Sequence, residues 1–260
     1  MKLEEYELET FKFKDSQIEI CYHSDIGGRE KQEDFYTIKE NGESLIVALC
    51  DGMGGSKCGE LASKIAADHI CNQFCISEEI NSSFFVDNIE DLDAIVYFLK
   101  DKVGTRLNAG TTMVSIIIDK TNLWWLSIGD SRLYIIRNNE IVQATKDHNY
   151  KEMLLDLLNS GSITPEQYEN EKDKYSALTS YMGIGGVKLY SANTTPLTLY
   201  NDDILLLTTD GLYNQLNIDD ILHSSNNIED VMKTALEKIE AQDSINRDNT
   251  TFILIKYIAH

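Results

Sequence analysis

Ser44-Leu-Ile-Val-Ala-Leu-Cys50 runs without a polar break into Asp51-Gly-Met-Gly-Gly55. An apolar run ended by an acid and a glycine cluster predicts a buried strand that stops at a sheet rim. The pattern recurs. Trp124–Ile128 is followed by Gly129-Asp130, Ile204–Thr209 leads into Asp210-Gly211, Asp248-Asn249 precedes Phe252–Ile255, and Glu33-Asp34 opens the segment 34–40. One such aspartate is ordinarily a turn or cap residue. Several that converge are different, because two carboxylates about 4 Å apart repel by about 4 kcal/mol at an effective dielectric of 20. A cluster must take up protons or hold cations. With oxygen donors and neither His nor Cys beside them, Mg²⁺ and Mn²⁺ fit best. The histidines at 23, 69, 148, 223 and 260 are scattered and form no HExxH, which argues against zinc. Glycines after Asp51 and Asp210 let backbone approach closely.

Outward from these ends, residues 16–24, 111–119, 122–128, 131–137, 194–200, 203–209 and 250–257 also read as strands. Helices are expected from about Glu60 to Cys75, over a stripe running Leu92, Ile95, Val96, Leu99, Val103 and Leu107, and over Ile228–Ile239. Residues 145–190 read as short helical pieces and polar loop. Strands in consecutive groups with helices paired between them predict antiparallel sheets covered by helices, not a parallel βαβ sheet. The chain has no GxxxxGK[ST], and its glycine pairs lack the third glycine of GxGxxG.

Composition sets the outer bounds. Hydrophobic residues are 42% and charged residues 25% of 260 positions, with 2 prolines, which excludes a disordered or collagen-like chain. Lys and Arg number 23 against 43 Asp and Glu, a formal net charge of −20. Such a chain repels nucleic acid and anionic membrane surfaces. The opening Met1-Lys2-Leu3-Glu4-Glu5 is no signal or transit peptide, and the expectation is a cytoplasmic protein. Five cysteines, at 21, 50, 58, 71 and 75, are expected to be reduced, with Cys71 and Cys75 packing as small apolar groups rather than binding zinc.

Seven ordered segments now carry a resemblance: Ser24-Asp-Ile-Gly-Gly-Arg-Glu-Lys-Gln-Glu-Asp34; Cys50-Asp-Gly-Met-Gly-Gly55 with Gly59-Glu60; Ala109-Gly-Thr-Thr112; Ile128-Gly-Asp-Ser-Arg-Leu-Tyr134; Lys146-Asp-His-Asn149; Leu205–Leu212; and Arg247-Asp-Asn-Thr250. Together they span about residues 20–257. The chain resembles the metal-dependent protein serine/threonine phosphatases of type 2C, in their bacterial branch. The resemblance implies a single catalytic domain over 1–260, with an α+β fold of two antiparallel sheets packed face to face between helix pairs, an α/β/β/α sandwich. Residues 148–190 would be the family's flap beside the site, where substrate choice would lie. The acidic stretch 76–91 has no counterpart.

By the same resemblance Asp51 would bridge two Mn²⁺ or Mg²⁺ ions and the Gly52 carbonyl would bind one of them. Asp210 and Asp248 would complete the first site, Glu33 would serve the second, and Asp34 would hold metal-bound water. Asp130 matches a weaker third-ion ligand, and Arg29 the arginine that grips substrate phosphate. Taken alone, Arg29 would be a solvated charge and Asp130 a tight-turn residue. A hydroxide bridging the ions would attack phosphorus in line, without a covalent intermediate. No cysteine opens a CxxxxxR loop; Cys58 has Lys64 where arginine is required. Gln32 replaces the usual Asn, and Met53 stands where animal members carry a proposed general-acid His, so no general acid is assigned. The expected partners are proteins phosphorylated on serine or threonine by an opposing kinase, met by a monomer. Two alternatives use the same fold: a catalytically silent module that binds phosphoproteins, and a hydrolase of small phosphates.

Overall fold

The computed structural model describes residues 6–54, 58–78, 80–242 and 247–260. Residues 1–5, Gly55 of the glycine cluster and Glu79 of the acidic stretch lie outside the described residues. The strand quoted first is β4 (Ser44–Gly54), and it explains the layering. Successive side chains on a strand point to opposite faces. Leu45, Val47 and Leu49 enter a core shared by two sheets. Ile46, Ala48 and Cys50 enter another, beneath a pair of helices. A half-exposed antiparallel strand would alternate apolar and polar residues; this one is apolar throughout because both faces are covered.

One sheet has six strands in the order β1 (Glu7–Lys12), β2 (Ser16–Asp25), β13 (Thr250–Ala259), β12 (Ile204–Thr208), β8 (Arg132–Arg137) and β9 (Glu140–Gln143). The other runs β10 (Ser191–Ala192), β7 (Asn122–Ile128), β6 (Met113–Asp119), β4 and β3 (Asp34–Asn41), with β11 (Leu197–Thr198) on β7 and β5 (Ala109–Thr111) on the end of β4. The pairings are antiparallel. Helices α1 (Gly59–Ile76) and α2 (Phe84–Tyr97) cover the second sheet through Ala62, Ala66, Ile70, Phe74, Leu92 and Val96. On the first sheet, α6 (Ile218–Leu222) and α7 (Ile228–Glu240) do the same through Ile221, Val231, Met232, Ala235 and Leu236. This is the expected four-layer α/β/β/α arrangement. Between β9 and β10 lie two short helices, α3 (Tyr150–Asn159) and α4 (Pro165–Glu169). Among the described residues, no helix is long and apolar enough to cross a membrane.

Three expectations need correction. The stripe expected to continue as a helix to Leu107 leaves it after Tyr97. Residues 99–107 instead fold back as a tight hairpin, with the Leu107 N–H donating to the Leu99 carbonyl at 2.7 Å and Lys100 bridging to Arg106. Asp101 Oδ1 accepts from the N–H groups of Val103 (2.9 Å) and Thr105 (2.8 Å), a local bond that competes with helix, and Gly104 supplies φ +86°. Leu99 and Leu107 still pack on the core at the hairpin's base, so the apolar spacing outlasts the helix. The expected strand 194–200 is paired only at Leu197–Thr198, because the Asn193 side chain takes over ladder bonds, accepting from the Trp125 N–H and donating to the Leu123 carbonyl. Cys71 is buried as expected, but Cys75, at the end of α1, is exposed.

Candidate active site

The acidic strand ends gather at one end of the sandwich, where the chain repeatedly crosses between sheets. Asp34 opens β3 and pairs with Asp51 on β4. The backbone of Asp51 is fully engaged: its carbonyl accepts from the Thr112 N–H and the Thr111 hydroxyl, both at 2.9 Å, and its N–H donates to Thr112 Oγ1 at 3.0 Å. Only the carboxylate is left to act. Gly52 donates to the Glu33 carbonyl at 3.0 Å, and a Cβ there would run into the Gly59 and Glu33 carbonyls. A Cβ on Gly59 would lie 2.6 Å from Glu33 Oε1, so the start of α1 closes directly over Glu33.

From the opposite sheet, β12 ends into Asp210, the first residue of α5 (Asp210–Tyr213), and Asp248 precedes β13. The Thr209 hydroxyl donates to Asp34 Oδ2 at 2.9 Å, a bond that joins the two sheets. Asn249 pins the connecting loop: its Oδ1 accepts from the Glu33 N–H at 2.8 Å, and its amide donates to the carbonyls of Ile26 (2.9 Å) and Lys31 (2.8 Å). That loop carries Arg29, whose guanidinium sits 2.6 Å from Asp248 Oδ2 with both side chains substantially exposed. Gln32, the departure from the expected Asn, is satisfied at both ends, donating to Ser24 Oγ at 2.8 Å and accepting from the Asp34 N–H at 3.1 Å.

These acids bear on one another. Burial pushes the Asp51 carboxyl well above the usual carboxylate range, and the charges of Asp34, Asp210, Asp130 and Asp248 push it further. Asp34 rises to about 7, chiefly by burial, against the hydroxyls of Thr251 and Thr209 that pull it back. Burial, with Asp210 next, takes Asp130 to about 7, and burial with Asp248 takes Asp210 to about 6. The structure thus brings Asp34, Asp51, Asp130, Asp210 and Asp248 into one electrostatic unit, with Glu33 and the Gly52 backbone beside it and Arg29 at its edge. Among the described residues no three acidic, histidine or cysteine side chains close into a ready-made cage for an ion. The donor set nevertheless suits hard divalent cations: it is all oxygen, it carries unrelieved negative charge, and Asp34 Oδ1 is buried with no hydrogen-bond partner.

Other participants carried no individual role in the sequence reading. Tyr213, at the end of α5, donates its hydroxyl to the Asp130 carbonyl at 2.9 Å. Arg132 stacks on the Tyr213 ring at 3.5 Å and forks onto Asp147 through Nη2 (2.7 Å) and Nε (3.0 Å). The His148 N–H donates to the Gly129 carbonyl at 2.9 Å. Arg132, Asp147 and His148 stand inside the quoted motifs, so position was the available signal; Tyr213 lies just beyond one.

The protein phosphatase 2C family model matches residues 24–247. A Listeria welshimeri protein named serine/threonine phosphatase stp is 28% identical over 238 residues, covering 88% of this chain and 91% of its own. The solved Staphylococcus aureus serine/threonine phosphatase Stp1 is 29% identical with a TM-score of 0.74, the match covering 95% of this chain and 97% of that one. The Streptococcus agalactiae serine/threonine phosphatase, at 24% identity and a TM-score of 0.78 over 92% of this chain and 99% of its own, shares the fold.

Proposed function

Because the chain belongs to the protein phosphatase 2C family and is a protein serine/threonine phosphatase, we propose that it hydrolyses phosphoserine and phosphothreonine in proteins by in-line attack of water, at a centre that takes two Mn²⁺ or Mg²⁺ ions. Glu33, Asp34, Asp51, Asp210, Asp248 and the Gly52 carbonyl would hold the pair, and Asp130 a weaker third. Bound there, the ions would supply positive charge for a phosphate dianion and acidity for an attacking water. The observation that carries this reading is the convergence on Asp51 of acids from both sheets: burial and the charges of Asp34, Asp210, Asp130 and Asp248 raise its proton affinity, and Asp34 and Asp210 are raised beside it.

The chain's own groups then divide the work. Asp34 is held through Oδ2 by Thr209, leaving the buried Oδ1 to orient a water. Arg29 can exchange its single carboxylate partner for two phosphate oxygens, a geometry that guanidinium forks match. No protein nucleophile is needed: Cys50, adjacent to Asp51, is fully buried with its thiol pushed well up by burial, so it carries no thiolate. We assign this activity to one monomeric domain over 1–260, acting in the cytoplasm on substrates of an opposing kinase, with residues 148–190 as the flap.

The test is hydrolysis of a phosphothreonine peptide with Mn²⁺, with Mg²⁺ and after chelation, for the wild type and Asp51→Ala. Metal-dependent release that disappears in a folded Asp51→Ala supports the proposal. Turnover by the chelated enzyme or by the variant refutes it. Turnover of free nucleotides in preference to the peptide would move the assignment to small phosphates.

A further inference from the structure

We propose that the hairpin 99–107, with Lys100, Lys102 and Arg106 on its surface and Val103 at its tip, docks an acidic segment of the phosphoprotein substrate; the inference rests on the phosphatase reading above. The protein has a net charge of −20. A phosphoprotein with further acids around its modified residue would meet repulsion over most of such a surface. Residues 100–106 are all exposed and hold three cations against one acid. That acid, Asp101, turns its Oδ1 onto the backbone N–H groups of Val103 and Thr105, where it builds the turn. Among the described residues Lys100 and Lys102 enter no ion pair, and Arg106 lays its guanidinium face on the Tyr97 ring at 3.6 Å, which leaves its N–H edge outward.

Apolar exposure coincides with this charge. Val103 is 86% exposed, and Phe98, where the hairpin leaves α2, is 64% exposed. Both stand out among the large hydrophobic side chains. A single exposed apolar residue needs no explanation, but one at the tip and one at the foot of a basic turn make an amphipathic contact. The turn is preorganised. Its base is closed by the Leu107–Leu99 and Asp101–Thr105 backbone bonds, and Leu99 and Leu107 are seated on the core, so binding need not order it.

Position links the hairpin to the candidate active site. Three residues after Arg106 the chain enters β5, which pairs Ala109, Gly110 and Thr111 with Gly54, Met53 and Gly52, directly beyond Asp51. The end of α2, from which the hairpin departs, abuts the flap side: a Cβ on Gly185 would lie 2.6 Å from the Tyr97 ring, and Asp93 of α2 accepts from the N–H groups of Gly183 and Gly186 at 2.7 and 2.5 Å. A phosphorylated side chain at Asp51 would therefore leave its own chain able to reach the hairpin within about six extended residues, roughly 20 Å.

The test is fluorescence anisotropy with two labelled phosphothreonine peptides. One carries a Glu/Leu cluster about six residues from the phosphate, placed on either side in turn; the other has Gln in place of Glu. The proteins are the wild type, Lys100→Glu/Lys102→Glu, and the milder Lys100→Gln/Lys102→Gln. The expected result is tighter binding of the acidic peptide, lost about tenfold on charge reversal and severalfold on neutralisation. The Gln peptide should be unchanged, and the preference should fade at high salt. Equal affinity for both peptides in the wild type, or an equal loss of both in the variants, overturns the proposal. Hydrolysis of the Gln peptide, measured in parallel, judges the phosphatase reading separately, because docking is read from binding alone.

Discussion

Asp130→Asn should make the chelated protein more stable while impairing a functional centre. In the ion-free fold the Asp130 carboxyl lies at about 7 rather than 3.8, because it is buried and faces Asp210 and Asp147. Holding such a group ionised withholds about 4 kcal/mol from the folded state, at about 1.4 kcal/mol for each factor of ten in proton affinity. Its neighbours also titrate, and relief at one site is shared, so about half that amount is expected from a single replacement. For a chain of this size about 2 kcal/mol corresponds to roughly 4–8 °C in Tm. The pH dependence has a definite sign. The folded pKa lies above the unfolded one, so between about pH 4 and 7 the folded state binds more protons, and stability falls as pH rises. The penalty is complete above about pH 7 and absent below about pH 4. Thermal unfolding in chelator from pH 5 to 8 should show wild-type Tm falling with pH and Asp130→Asn falling less, with the variant the more stable at pH 8. Saturating Mn²⁺ should reverse the order at pH 8 by stabilising the wild type more. A variant that melts lower than wild type in chelator at pH 8 would refute the picture of mutually repelling acids.

Arg29→Ala should raise KM for a phosphothreonine peptide by about 10- to 100-fold through loss of a charge-assisted fork, with a smaller change in kcat; steady-state kinetics read the split. Removal of the Arg29 guanidinium also frees Asp248, so the same variant should bind Mn²⁺ no more weakly than wild type by calorimetry. Asn249→Ala should cost about 2–4 kcal/mol by denaturant unfolding, since three backbone groups lose their partner at once.

The acids of the site were legible because each stands at or beside the start or end of a strand, and strand ends are what a sequence marks most clearly. Their convergence was legible only through the order of the motifs, since spacing along a chain does not say which sheet a strand joins. The threonines were harder. Thr112 and Thr209 stand inside the quoted segments and Thr251 in a predicted strand, yet none was given a role, although Thr112 fixes the Asp51 backbone and Thr209 ties Asp34. A hydroxyl facing a carboxylate and one facing solvent have the same sequence pattern. The end of α2 was misread for a related reason: Leu99 and Leu107 are half-buried against the core at helical spacing, but the bonds that bring them there are those of a hairpin. Tyr213 shows a third limit, because its hydroxyl reaches the Asp130 carbonyl across 83 residues.

The Thr209–Asp34 bond has a mechanical meaning. Asp34 and Asp51 belong to one sheet and Asp210 and Asp248 border the other, and at this end the two are joined by the Thr209–Asp34 bond, by Asn249 on the Glu33 N–H and by the Thr112–Ser131 hydroxyl pair as well as by side-chain packing. Any cation shared across that seam is a rivet between two plates. Its loss would leave each plate intact and let the plates slide or gape at the rim, so amide exchange should quicken first at the ends of β12 and β13 while the strand centres under α1 and α7 stay protected. Catalysis and the alignment of the sandwich would then be one property, set by how well the two sheets hold their mutual position.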